Sequence, residues 1–411
     1  MKKIILFFVP ALLLSCKTQN EPTPIIPIPK DATAISLSAA QQAKVSQDNA
    51  FAFDLLRKTI ASNSAEQNVF VSPLSVSIAL GMVWNGANAD TKTEIETALK
   101  LSGLSADVIN SYYQTMQSTL PGIDPTTKLS IANSIWYKNG FEVKADFLKR
   151  NTDYFNAYVK SLDFSKSWAK DTINNWCDKH TNHLIPTILE SIPSDAVMYL
   201  TNAVYFKGIW RNKFDKKETT ASTFTTELNT QSAINMMYQK DTFAYAADDN
   251  AQYVDLPYGN KAFSMTIVLP AIGKSTADIL SKLTAESWNT TLYSLHTREI
   301  MLYLPRFKVE NKFQLKNTLA AMGMPKAFTE AADFSGISNE RIMISDVVHK
   351  TYITVDEDGT EAAAVTNIGM VTTSMPDYPI VNVNRPFLMV IREKSTGVIL
   401  FIGKMGAISK Y

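Results

Sequence analysis

Past an apolar opening and a proline-rich stretch, the chain settles into alternating helix-like and strand-like periods. Residues 41–60 place Val45, Phe51, Leu55 and Leu56 at near-helical spacing with acids and amides between them, which predicts an amphipathic helix. Ser72-Pro73 predicts the start of another helix, with Ser as the cap and Pro in the first turn, running on through Val76, Ala79, Leu80 and Val83. Residues 129–137 alternate as a strand toward an aromatic end. Residues 197–206 are nearly continuous apolar chain interrupted by Thr201 and Asn202, the pattern of a central strand covered on both faces. Segments 262–269 and 300–304 are further β-rich runs, and 387–391 and 398–402 flank a polar turn ending at Gly397, a hairpin pattern. Helices and strands mix without regular βαβ alternation, so the expected class is α+β, built as one body from about Leu37 to Tyr411.

The first residues read as targeting rather than fold. Lys2 and Lys3 precede an apolar run, 4–14, too short to span a membrane, and Leu13-Leu14-Ser15-Cys16 resembles the bacterial lipobox. That resemblance implies a signal peptide over 1–15, removed to leave a lipidated Cys16 anchored in the outer membrane, on its periplasmic face or at the cell surface. A plain secretory signal with an incidental cysteine is the other reading. Pro22, Pro24, Pro27 and Pro29 stiffen the following residues into an extended spacer, so 16–38 is expected to be a tether and 39–411 the folded domain.

Composition narrows the partners. With 40 Lys and Arg against 39 Asp and Glu the net charge is +1, which gives no electrostatic ground for nucleic acid. No basic residue lies between Lys100 and Lys128, so no heparin site is expected there. The chain has 2 cysteines, and lipidation of Cys16 would leave Cys177 without a disulfide partner.

Several separated blocks then carry a family resemblance. They are Asn68-Val-Phe-Val-Ser-Pro-Leu-Ser75, Thr201-Asn-Ala-Val-Tyr-Phe-Lys-Gly-Ile-Trp210, Leu304-Pro-Arg-Phe307, Val348-His-Lys350, Asp356-Glu-Asp-Gly-Thr-Glu-Ala-Ala-Ala364, Asn384-Arg-Pro-Phe387 and Ile399-Leu-Phe-Ile-Gly403. In this order and spacing they resemble the serpin family over most of residues 40–408. The resemblance implies three β-sheets, eight or nine helices and an exposed reactive-centre loop at about 357–380. One departure is local: where the family's sheet-crossing helix often ends in a Gly-Lys-Ile-type turn, this chain reads Thr181-Asn-His-Leu-Ile185.

The loop can also be read residue by residue. Ala362, Ala363, Ala364, Val365 and Thr366 form no helical apolar face, and neither Lys nor Arg occurs from Thr351 to Asn384. A mobile surface loop is the plain reading. As a strand, however, one face would carry Thr360, Ala362, Ala364, Thr366, Ile368, Met370 and Thr372, while both strongly polar residues, Glu361 and Asn367, fall on the other. A loop patterned as a one-sided strand suits a loop-to-strand switch. The family mechanism that the resemblance implies is suicide inhibition of serine, and in some members cysteine, proteases: the cleaved loop inserts into the main sheet before the acyl-enzyme hydrolyses. Glu357, Gly359, Thr360, Ala362, Ala363 and Ala364 would form the hinge. The family's usual count places the reactive bond at Thr373–Ser374, with Val371, Thr372 and Met375 as neighbours within about two residues. Uncharged candidates point to elastase-like or broad-specificity proteases. The alternative is a non-inhibitory serpin acting as a binding protein.

The resemblance also assigns supporting residues. His349 and Asn202, beside Ser72 and Ser75, would form a polar latch beneath the main sheet. Arg306 and Glu357 would pair where the loop enters it, with Trp210 packed nearby; an ordinary surface ion pair is the plain alternative. Cys177, His180 and His183 share one side of a helix but are three ligands at most, so no metal is expected. No Gly-x-Ser-x-Gly elbow, His-Glu-x-x-His or phosphate loop occurs. The protein is therefore expected to be a monomer without cofactor and without enzymatic activity.

Overall fold

A computed structural model describes residues 30–101, 103–360 and 378–411. The predicted elements form, longer than their sequence cores. The first helix is Ala39–Ser62, closed at its start by a capping box between Ser38 and Gln41. Ser72 caps the helix Pro73–Trp84 by accepting from the Ser75 N–H. The strand runs become Lys128–Lys138, Met198–Ile209, Phe263–Pro270 and His296–Pro305. Phe387–Glu393 and Ile399–Met405 pair as the expected antiparallel hairpin. The folded body begins before the expected boundary. Asp31 pairs with Lys261 and Arg211, the Ala32 N–H donates to the Asn260 carbonyl, and Ile35 and Leu37 pack on the core.

The architecture is α+β, with nine α-helices and three sheets among the described residues. A nine-stranded sheet carries the C-terminal hairpin and most of the apolar core. A four-stranded sheet orders Gly359–Thr360, Met198–Ile209, Lys128–Lys138 and Tyr158–Leu162, and a two-stranded sheet pairs Phe307–Gln314 with Val348–Val355. The four-stranded sheet lies between two helices. Asn202 reaches down to Ser75 at the start of Pro73–Trp84, while Trp136, Tyr199 and Leu189 pack on the opposite side with Ala169 and Ile173 of the helix Ser167–His180.

The sequence pattern predicts a central strand covered on both faces, and here the structure differs. Strand Met198–Ile209 is paired on one flank throughout, by Lys128–Lys138. Among the described residues its other flank is paired only at the top, where Gly359 and Thr360 lie opposite Ile209 and Gly208. Below that point a cleft of about 680 Å³ separates it from strand Val348–Val355. Val76, Ala79, Leu80 and Val83 floor the cleft, and Cys177, Thr181 and Ile185 lie on the helix Ser167–His180 side. The apolar run is therefore that of a strand with one backbone edge open, which hydropathy alone does not reveal.

A row of polar groups crosses the cleft floor. Asn202 accepts from the Ser75 hydroxyl and donates to Asn133 Oδ1 at 2.7 Å. On the far side, His349 Nε2 accepts from the Ser72 N–H at 3.0 Å, and the Ser72 hydroxyl donates to the Leu400 carbonyl at 2.8 Å. The expected direct bridge between His349 and Asn202 is absent among the described contacts. The strand-wide gap holds them apart, and the cap of the Pro73–Trp84 helix joins them instead.

Burial holds the His349 imidazole down to about 4 from its ordinary 6.5. The folded protein thus keeps it neutral at a pH where the unfolded chain protonates it. Stability from this group is complete above about 6.5 and is lost as pH falls toward about 4, by about 2 kcal/mol between pH 7 and pH 5. Urea unfolding at these two pH values should show that loss in the wild type and a distinctly smaller one in His349→Gln.

Candidate functional site

The site forms at the head of the cleft, where strand Val348–Val355 ends in the turn Asp356–Gly359. Asp356 Oδ1 accepts the N–H of Asp358 at 2.9 Å and of Gly359 at 3.3 Å, and Asp356 and Gly359 form an antiparallel bridge. The chain reverses and comes down beside Met198–Ile209, antiparallel to it. Strands Met198–Ile209 and Val348–Val355 therefore run in the same direction, one strand-width apart, with a third strand just begun between them.

That reversal needs glycine on both sides. Gly359 has φ +151°, and a Cβ there would lie 2.1 Å from the Gly208 carbonyl oxygen. A Cβ on Gly208 would meet the Tyr258 ring at 2.6 Å. Tyr258 stacks on Trp210 with ring centroids 4.5 Å apart, and its hydroxyl is 2.8 Å from that of Thr360. Thr360 is consequently buried with its side chain toward the core.

The acidic run is held by the segment that follows Met198–Ile209. Trp210 donates its indole N–H to the Asp356 carbonyl at 2.9 Å and its backbone N–H to the Asp358 carbonyl at 2.9 Å. Glu357 Oε1 accepts from the Thr219 hydroxyl at 2.6 Å, and its other oxygen lies 3.5 Å from Arg306 Nε. Glu357 is buried, so this is no ordinary surface pair, and the Arg306 guanidinium also lies 5.8 Å from the Tyr411 ring centroid. Burial, with Asp358 and Glu357 alongside, raises the Asp356 carboxyl above its usual range.

Sequence reasoning missed two parts of the site. Lys213 and Lys216 both reach Asp358, at 3.0 and 2.7 Å. Their position a few residues after Trp210 was the available signal. At the cleft's other end Lys312 of strand Phe307–Gln314 pairs with Glu190 at 2.5 Å, and both residues line the cleft. Ala362, Ala363, Ala364, Thr373, Ser374 and Cys16 lie outside the described residues.

The Cys177, His180 and His183 row separates into individual contacts. The Cys177 thiol is pushed up to about 12 by burial. His180 donates from Nδ1 to the Trp176 carbonyl at 2.7 Å and lies on the Trp176 ring, while His183 sits 2.6 Å from Asp178. The helix exit takes left-handed backbone at Asn182 and His183, with φ 51° and 64°. The Thr181 hydroxyl steadies it, donating to the Cys177 carbonyl at 2.8 Å and accepting from the Ile185 N–H at 3.1 Å.

Comparison with known proteins agrees with this geometry. The family model described as "Serpin (serine protease inhibitor)" matches residues 46–407. Iripin-8 of Ixodes ricinus is 35% identical over 91% of this chain and 98% of its own length. Human neuroserpin is 32% identical over 84% of this chain and 87% of its own. Among solved structures, the thermophilic serpin tengpin in its native state superposes with a TM-score of 0.83, at 32% identity over 92% of this chain and 97% of that one. Human thyroxine-binding globulin with its hormone gives 0.81, at 28% identity over 90% of this chain and 100% of that one. Sheets, cleft, hinge turn and sequence thus point the same way, and the chain belongs to the serpin family.

Proposed function

We propose that this serpin is a suicide inhibitor of serine proteases which traps the acyl-enzyme by inserting its cleaved loop into the cleft. The observation that carries this reading is the turn Asp356–Gly359, which sets Gly359 and Thr360 antiparallel to Met198–Ile209 at the head of the cleft, between two strand edges. Those edges present backbone donors and acceptors that one added antiparallel strand would satisfy on both sides.

Register supports the reading further. Continuing from Thr360 opposite Gly208, an inserted strand would bring Ala362 opposite Phe206, Ala364 opposite Val204 and Met370 opposite Met198. Thr366 would arrive opposite Asn202 on one side and, from the Asp356–Gly359 bridge, opposite His349 on the other. The one polar residue in the middle of the inward face would thus meet the polar row of the floor. Glu361 and Asn367 would face away. Thr373 would lie just past the end of strand Met198–Ile209, roughly 43 Å from Thr360 at about 3.3 Å per residue. A protease joined to Thr373 through its acyl bond would be carried that distance and distorted before water could release it.

The decisive experiment mixes the full chain with a panel of proteases. SDS-stable complexes should form with elastase-like enzymes, and the released peptide should begin at Ser374 by mass. Trypsin should form little or none, because the loop offers no cation to an acidic primary pocket. Cleavage without complexes for every enzyme would support the non-inhibitory, binding-protein reading instead.

The hinge gives a second test. A Thr360→Arg change would bury a guanidinium against Tyr258 and Phe206 without a partner. The variant should be cleaved as a substrate and lose most complex formation; complexes at wild-type stoichiometry would contradict insertion at this point.

Export as a lipoprotein completes the proposal: acylated Cys16 in the outer membrane, with the proline-rich tether ending where Asp31 meets Lys261 and Arg211. In a bacterial host, wild-type protein should enter the detergent phase and Cys16→Ser should not. Equal partition of the two would reject the lipobox reading.

A further inference from the structure

Asp358 belongs to the turn, yet its carboxylate is held by the opposite wall of the cleft. Its side chain is 3% exposed, with one oxygen 3.0 Å from Lys213 Nζ and the other 2.7 Å from Lys216 Nζ. Both lysines follow strand Met198–Ile209, whereas Asp358 continues strand Val348–Val355. Backbone bonds cross at the same place, from the Trp210 N–H to the Asp358 carbonyl and from the Phe214 N–H to the Glu357 carbonyl, each at 2.9 Å. A carboxylate this buried is costly unless opposite charge compensates it, and the two ammonium groups supply that charge at 3.0 and 2.7 Å. Lys216 in turn is held protonated beyond its ordinary range, first of all by its bond to Asp358.

We propose that Asp358, gripped by Lys213 and Lys216, is a positioning residue for loop insertion: it sets the turn so that Gly359 and Thr360 lie in strand register before a protease arrives. The kinetic consequence rests on the inhibitory reading; the geometry does not. Starting a strand orders several residues for few hydrogen bonds, which makes the first step the slow one. With that step made in advance, insertion competes better with hydrolysis of the acyl bond. The grip need not break as the loop moves, because Glu357 and Asp358 keep their places while the chain below them fills the cleft.

Asp358→Asn keeps the shape of the side chain and all the backbone bonds but removes the charge. Amide exchange at Gly359 and Thr360 should quicken about tenfold or more, while exchange in strand Lys128–Lys138 stays as it was. More inhibitor should be cleaved per complex formed, with the initial association rate unchanged, and Asp358→Glu should restore part of the loss. Added salt should increase wasteful cleavage of the wild type, since Lys216 is 51% exposed, and leave Asp358→Asn unmoved. Unchanged exchange at the two amides, or an unchanged ratio of cleavage to complex, would overturn the proposal. Faster exchange in the variant while neither protein forms complexes would uphold the grip and sink the inhibitory reading instead.

Discussion

A β-strand inside a sheet normally has both backbone edges hydrogen-bonded, and among the described residues two neighbouring strands here do not. Met198–Ile209 and Val348–Val355 face each other across a space one strand wide, joined only at the top by the turn Asp356–Gly359. Unpaired backbone next to an apolar floor is a poor resting state. The surrounding structure holds it there: the helix cap at Ser72 and Ser75 ties both walls to one helix, and Trp210, following strand Met198–Ile209, ties the turn to that wall. The sheet is thus complete in every respect but one strand.

Most of the fold was legible in the chain. Apolar runs located four strands of the large sheet, those at 262–269, 300–304, 387–391 and 398–402, and Ser72-Pro73 marked a helix start to the residue. Burial of Glu357 was not legible, because an acid beside a glycine in a loop-like run reads as solvent-facing. The family resemblance assigned Arg306 as its partner; Thr219, also distant in sequence, is brought in only by the tertiary fold. The open edge of Met198–Ile209 was hidden for a related reason: hydropathy reports how side chains are covered, and the missing partner here is a backbone one. The latch was half legible, since His349, Asn202, Ser72 and Ser75 do gather, but the sequence could not say that a cap would stand between the two walls.

Close packing at the turn explains why it can be so small. Gly208 and Gly359 approach until a Cβ on either would collide, with the Tyr258 ring in one case and the Gly208 carbonyl in the other. The stacked pair of Trp210 and Tyr258 fills the space beneath, and Thr360 closes it with a hydroxyl contact. Two absent side chains and two large rings together let Gly359 and Thr360 lie against the end of strand Met198–Ile209.

The ion pair between Lys312 and Glu190 lies at the opposite end of the cleft from this joint. In a process that runs from the top downward, a contact met last has no say in whether the process commits, only in how far it is carried. Under the proposed insertion, the pair would act on the completeness of the final state rather than on its likelihood of being reached. Lys312 is about one-third exposed and Glu190 largely so, which leaves the pair easily parted by a moving chain. The turn at one end of the cleft thus holds Glu357 and Asp358 buried, while the other end keeps only a loosely held pair.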